Sequence, residues 1–305
     1  MQVLQDSAAL SGRVVAIVGL GLMGGSLALA LRAQNACRKI IGVTRNPDTQ
    51  ADALARRVVD KVGADVSLVA EADVVVLATP VRTILQQLPQ VGAVARAGTV
   101  VMDFGSTKRD IVAAMQSLPP HVEPIGAHPM CGKETSGYES AEASLYRKAV
   151  FVLTPLDRTS PQTLALAESL ATTLEARPIV LDAARHDRIV AAVSHLPFAL
   201  AAALMTTAGE LARADELVYA LAANGFRDTS RLAASDVTMM LDILLTNRDH
   251  VAGLLQACAR HLDELADLMA AGDEPALRVR LERAAASRRG WFKSPHTPYS
   301  PTPLK

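Results

Sequence analysis

Between residues 13 and 182, short β-branched runs alternate with stretches rich in alanine and leucine. RVVAIV (13–18), KIIGVT (39–44), DVVVLA (73–78), TVVMD (99–103) and AVFVLT (149–154) are nearly continuous apolar runs. Runs of that length and composition predict strands covered on both faces, and the pattern holds as far as RPIVLD (177–182). Segments such as SLALALRAQ (26–34) lie between them and predict helices. This alternation predicts an α/β fold, an N-terminal Rossmann-type doubly wound parallel sheet. After Asp182 the pattern changes: no strand is evident, and apolar residues recur at helical spacing, as in residues 244–269. The expected organisation is a dinucleotide-binding domain over 1–181, an all-α C-terminal domain over 182–288, and a tail over 289–305. Four prolines in GWFKSPHTPYSPTPLK exclude a helix or central strand there and predict disorder, with Trp291 and Phe292 as anchors at its start.

Composition narrows the function. Of 305 residues half are apolar and a fifth charged, enough for two ordinary cores. Thirty-one basic residues balance 31 acidic ones, which argues against nucleic acid or a polybasic membrane contact. Aromatic residues are too few for a base-stacking platform. The N-terminus lacks the features of a signal peptide, and the apolar stretch 189–205 is broken by Ser194, His195 and Pro197, so no membrane span is expected. Cys37, Cys131 and Cys258 are scattered and odd in number, which fits a reducing, cytoplasmic setting.

The first strand runs into VGLGLMGGSLALAL, with Gly19, Gly21 and Gly24 in G-x-G-x-x-G spacing ahead of a helix-forming segment. In that context the glycines permit a tight turn, close approach of a pyrophosphate, and helix–strand packing. Leu22 and Met23 between them, and Thr79 after the strand at 73–78, are further cofactor-binding candidates. At the end of the second strand no acidic residue precedes Asp48; Thr44 and Arg45 offer a hydroxyl and a guanidinium suited to a 2′-phosphate. The expected cofactor is NADP, with NAD as the alternative.

The strand at 99–103 continues into DFGSTKRD and EPIGA runs into His128, placing Ser106 and His128 where α/β sheets bind ligands. RIVAAVSHLPFAL sets His195 and Pro197 inside an apolar helix, where a histidine needs a partner and a proline a reason. His128 with Cys131 superficially suggests a metal site, but no second pair at zinc spacing follows, and none is expected.

These segments together resemble the prephenate and arogenate dehydrogenases of tyrosine biosynthesis, over roughly residues 13–270. The landmarks are VGLGLMGGSLA, ADVVVLATPV, DFGSTK, GAHPMCGKETSG, HDRIVAAVSHLP and GFRDTSRLAASD. The resemblance implies oxidative decarboxylation of a cyclohexadienyl dicarboxylate, with hydride passing to NAD(P)+ and the ring becoming aromatic. It implies His128 as acceptor of the ring-hydroxyl proton, Ser106 as a hydrogen-bond partner of the reacting hydroxyl or of His128, and His195 as a positioner of the substrate side chain. Arg231 would grip a carboxylate, with Arg227, Lys133 and Glu134 as further pocket candidates. A homodimer through the helical domain is expected, with a small-molecule substrate. Three positions depart from the family pattern: Phe198 stands where a second histidine is common, and Val237 and Met240 where some relatives carry Pro and Trp. The latter bear on prephenate-versus-arogenate preference.

Overall fold

A computed structural model of the protein describes residues 9–293. Eight strands form one sheet: Val14–Val18 (β1), Lys39–Val43 (β2), Lys61–Gly63 (β3), Val74–Leu77 (β4), Val100–Asp103 (β5), Glu123–Pro129 (β6), Val150–Pro155 (β7) and Arg177–Val180 (β8). Their order is β3-β2-β1-β4-β5-β6-β7-β8, parallel throughout except for the antiparallel pair β6–β7. The helices Leu22–Ala33 (α1), Pro47–Ala55 (α2), Val81–Val94 (α3), Arg109–Gln116 (α4) and Pro161–Thr173 (α5) connect them.

The sheet explains the unbroken apolar runs. Within β1, Val15 and Ile17 join one buried cluster with Leu27, Leu31 and Phe151, while Val14, Ala16 and Val18 join another with Ile84, Leu88 and Met115. Alternate side chains therefore enter separate cores, and neither face can be polar. The chain reverses direction across the sheet between β1 and β4, so the glycine loop after β1 opens at the crevice where such sheets bind ligands. The three-residue strand β3 has no counterpart among the expected strands. Strand β6 runs two residues beyond EPIGA, which puts His128 within the sheet, opposite Val152.

From Ala183 the described chain is helical: Ala183–Val190 (α6), Leu196–Ala212 (α7), Leu217–Ala220 (α8), Asn224–Ser230 (α9), Val237–Thr246 (α10), Arg248–Ala271 (α11) and Glu274–Lys293 (α12). A π-helical turn, Ala191–His195, joins α6 to α7. It accounts for Pro197, which lacks an N–H and would collide with a carbonyl four residues back in a regular helix; the widened turn relieves both. The run 183–212 is long and apolar enough to cross a membrane, contrary to the reading of the interrupted stretch 189–205. Its His186, Asp187 and His195 are nevertheless buried, with polar partners described below.

The expected helix over 244–269 is interrupted at Asn247, between α10 and α11. Helix α12 continues through Lys293, so the expectation that nothing helical lies in 289–305 fails for its first five residues. The prolines begin only at Pro295, too far on to break that turn. Trp291 stacks with Arg288 of its own helix, 4.8 Å from guanidinium carbon to ring centre, while Phe292's side chain and residues 294–305 lie outside the described residues.

By compactness the chain divides into residues 1–248 and 249–305. In the first unit, helices beyond Asp182 are fastened to the sheet half. Asp242 of α10 accepts from the backbone N–H and the guanidinium Nε of Arg82 at the start of α3, at 2.9 and 2.6 Å, and Thr107 and Thr246 share a hydrogen bond of 2.8 Å. In the second unit, α11 and α12 are joined around Gly272 and paired through Glu264 and Arg280.

Candidate active site

The loop from β1 to α1 is closed to side chains at two of its three glycines. Gly19 has φ 96°, and a Cβ there would meet the Thr79 methyl at 2.6 Å. A Cβ on Gly24 would run into the Gly19 carbonyl, while nothing lies within 4 Å of one on Gly21. Gly21 caps α1 without a side-chain hydrogen bond, leaving the first N–H groups of the helix available to an anion. The adjoining cavity, about 880 Å³, is lined by Gly19, Gly21, Thr44, Arg45, Thr79 and Gln87 among others. These residues fit a dinucleotide: a cradle without side chains for the pyrophosphate, and a cationic end at Arg45. Thr79 donates to the Gln87 side chain at 2.7 Å, so α3 supplies a wall of this cavity that sequence reasoning missed. Leu22 and Met23 are outside its lining; Met23 packs against the core and its carbonyl accepts from the Tyr146 hydroxyl at 2.6 Å.

Past β5 the chain turns on Asp103, Ser106 and Lys108. Asp103 and Lys108 form a completely buried ion pair, in which burial pushes the carboxyl up and the ammonium down while each opposes the other's shift. Asp103 also accepts from the backbone N–H groups of Gly105 and Ala127, at 2.8 and 3.2 Å, tying the β5 loop to β6 one residue before His128. Ser106 is half-buried; no hydrogen bond joins it to His128 among the described residues.

His128, half-buried, is joined to a chain of buried groups. Its Nδ1 lies 2.9 Å from Nε2 of His186, whose Nδ1 lies 2.7 Å from Asp187 Oδ1. The Asp187 carboxylate also accepts from the backbone N–H groups of Lys108 and Arg109, at 2.7 and 2.9 Å. Against the upward push of burial, these bonds from His186, Arg109 and Lys108 hold Asp187 below the usual carboxylate range. Burial, reinforced by His186, Lys108 and His195, holds His128 well below the ordinary imidazole range. His195, buried in the π-helical turn, is pushed down to about 4, chiefly by burial. Asn247 Nδ2 donates to the Asp187 carbonyl at 2.7 Å and lies 3.2 Å from His195 Nδ1. One assembly thus contains both predicted histidines, together with His186, Asp187 and Asn247, which sequence reasoning missed. The signal for the first two was the adjacent His-Asp pair in HDRIV, just ahead of the apolar run that carries His195.

The remaining candidates separate. Exposed Arg231 is paired with exposed Glu134 across 97 residues of sequence. Lys133 instead reaches Glu142 at 2.8 Å and the Ser140 carbonyl at 3.1 Å. Arg227 is exposed on α9, four residues before Arg231. Cys131 does not engage His128, and burial pushes its thiol up to about 12.

A doubly wound sheet, an open glycine cradle and neutral imidazoles at the carboxyl edge define a nicotinamide-dependent oxidoreductase. The family follows from comparison with known proteins. Residues 27–180 match the nucleotide-binding domain of prephenate dehydrogenase, and residues 182–283 its dimerization domain. A prephenate dehydrogenase of Lactococcus lactis is 34% identical over 278 residues, 90% of this chain and 76% of that one. The crystal structure of Aquifex aeolicus prephenate dehydrogenase with hydroxyphenyl propionate and NAD+ superposes with a TM-score of 0.85 at 30% identity, over 92% of this chain and 99% of that one. Synechocystis arogenate dehydrogenase gives a TM-score of 0.77 at 32% identity, over 91% and 99%. The chain belongs to the prephenate dehydrogenase family.

Proposed function

We propose that this chain oxidatively decarboxylates prephenate to 4-hydroxyphenylpyruvate in tyrosine biosynthesis, as a cytoplasmic homodimer with a Rossmann-type domain to residue 181 and a helical domain from 182. The supporting observation is His128, an imidazole kept neutral at the carboxyl edge of the sheet, with Nδ1 engaged by His186 and Nε2 left without a protein partner among the described residues. A neutral imidazole can accept the proton of the ring hydroxyl. The nicotinamide, when bound, supplies the hydride acceptor. Ser106 hydrogen-bonds the reacting hydroxyl, and His195 positions the substrate side chain. Arg231 exchanges Glu134 for a substrate carboxylate, because the bidentate guanidinium fits either partner; Arg227 and Lys133 serve as outlying cations.

Thr44 and Arg45, both on the cavity wall, favour NADP over NAD. Arogenate is the second substrate reading, supported by likeness to the Synechocystis arogenate dehydrogenase. The homodimer reading is supported by exposed apolar side chains of the helical region, including Leu221 at 79%, Val237 at 70% and Val193 at 63%.

Initial rates of nicotinamide reduction with prephenate and with arogenate, each with NAD+ and NADP+, test the reading. Turnover of prephenate, faster with NADP+, is expected. Nucleotide binding with no turnover in all four combinations would refute the assignment, and faster turnover with NAD+ would refute the roles of Thr44 and Arg45.

A further inference from the structure

Asp187 connects to both site histidines, once through its side chain and once through its backbone. An ionised carboxylate only accepts hydrogen bonds, so the His186 nitrogen 2.7 Å from it, Nδ1, carries a hydrogen. If that is the one ring hydrogen His186 carries, its Nε2 is bare. That atom lies 2.9 Å from His128 Nδ1, and one hydrogen must lie between them, so it belongs to His128 Nδ1. The consequence is a bare Nε2 on His128.

The second branch has the opposite outcome. The Asp187 carbonyl also only accepts, which identifies the Asn247 atom 2.7 Å from it as the amide nitrogen. The same nitrogen lies 3.2 Å from His195 Nδ1, which therefore accepts, and the hydrogen of His195 sits on Nε2. Buried Asn247 Oδ1 has no partner, so the amide is held through its nitrogen alone.

We propose that Asp187 sets the two imidazoles in opposite tautomers, His128 as an Nε2 acceptor through His186 and His195 as an Nε2 donor through Asn247, making His186 and Asn247 positioning residues for proton transfer. This rests on the role given above to His128. The transfer balances over two bonds. The substrate O–H bond breaks as His128 Nε2–H forms, and His128 Nδ1–H breaks as His186 Nε2–H forms. The positive charge comes to rest on His186 against the Asp187 carboxylate rather than on His128, which faces Lys108, His186 and His195. The phenol product keeps its hydroxyl hydrogen, so the same path returns the proton to that oxygen as the ring carboxylate departs as CO2. His195 meanwhile offers its N–H to an oxygen of the substrate.

The direct test is 15N–1H correlation of ring nitrogens in histidine-labelled protein at neutral pH, without substrate. The site signals are assigned by loss in His128→Asn, His186→Gln and His195→Asn. The expected result is a protonated Nδ1 and bare Nε2 for His128, with the reverse for His195. A shared tautomer would overturn the proposal even in an active enzyme; opposite tautomers in a chain inactive on every substrate would instead sink the functional reading. Kinetics add a second readout. His186→Leu should lower kcat by about 10²-fold or more with KM within a few-fold. His186→Gln, which still accepts from His128 but takes up no proton, should recover part of that loss and shift the pH profile. Equal kcat in the two variants would contradict the tautomer role.

Discussion

His195 is buried and His128 half-buried, each with its imidazole pKa pushed down, and this ties stability to pH. An imidazole whose pKa falls on folding binds its proton more readily in the unfolded chain. For His195, ordinarily near 6.5 and pushed to about 4, the resulting penalty is absent above pH 6.5. It grows as pH falls, to on the order of 3 kcal/mol at about pH 4. Urea midpoints should therefore drop between pH 6.5 and 4, with a shallower slope in His195→Gln; identical slopes would show that His195 is not responsible. By the same sign His128 stays an available base below the ordinary imidazole range, so the acid limb of kcat/KM is expected under pH 6.5, and a limb at or above that value would argue against it. The predicted histidines were legible because each stands out as polar in an apolar setting. His186 and Asn247 were not, because their roles exist only across 58 and 52 residues of separation, at their closest approaches to His128 and His195.

Among the elements, the loop after β5 bears the largest electrostatic stake. Removing one member of a buried ion pair leaves an uncompensated charge, so Lys108→Met should cost about 3–5 kcal/mol in urea unfolding. Lys108→Met together with Asp103→Asn should recover much of it, and a single variant as stable as wild type would contradict the pairing. The alternating strands and helices were readable from β-branched runs, since both faces of the sheet are covered. The break at Asn247 was not readable: its apolar spacing continues from α10 into α11, and only the side chain's bonds to Asp187 and His195 show why the helix stops there. Nor was the π-helical turn visible, because periodicity cannot register one inserted residue; Pro197 was its only trace.

For the whole molecule, the proposed homodimer would cover apolar surface left over by the helices. Leu221→Glu should place a charge on that surface and shift sedimentation from dimer towards monomer, without the loss of β-sheet signal that unfolding would bring. A wild-type monomer at micromolar concentration would contradict the homodimer. The proposed chemistry converges on His128, and its substitution by asparagine is the most direct trial of it. His128→Asn should reduce kcat for prephenate by about 10²–10⁴-fold while nucleotide affinity, read by fluorescence titration, stays within a few-fold of wild type. Turnover close to wild type with the nucleotide bound as before would show that the ring hydroxyl gives up its proton elsewhere.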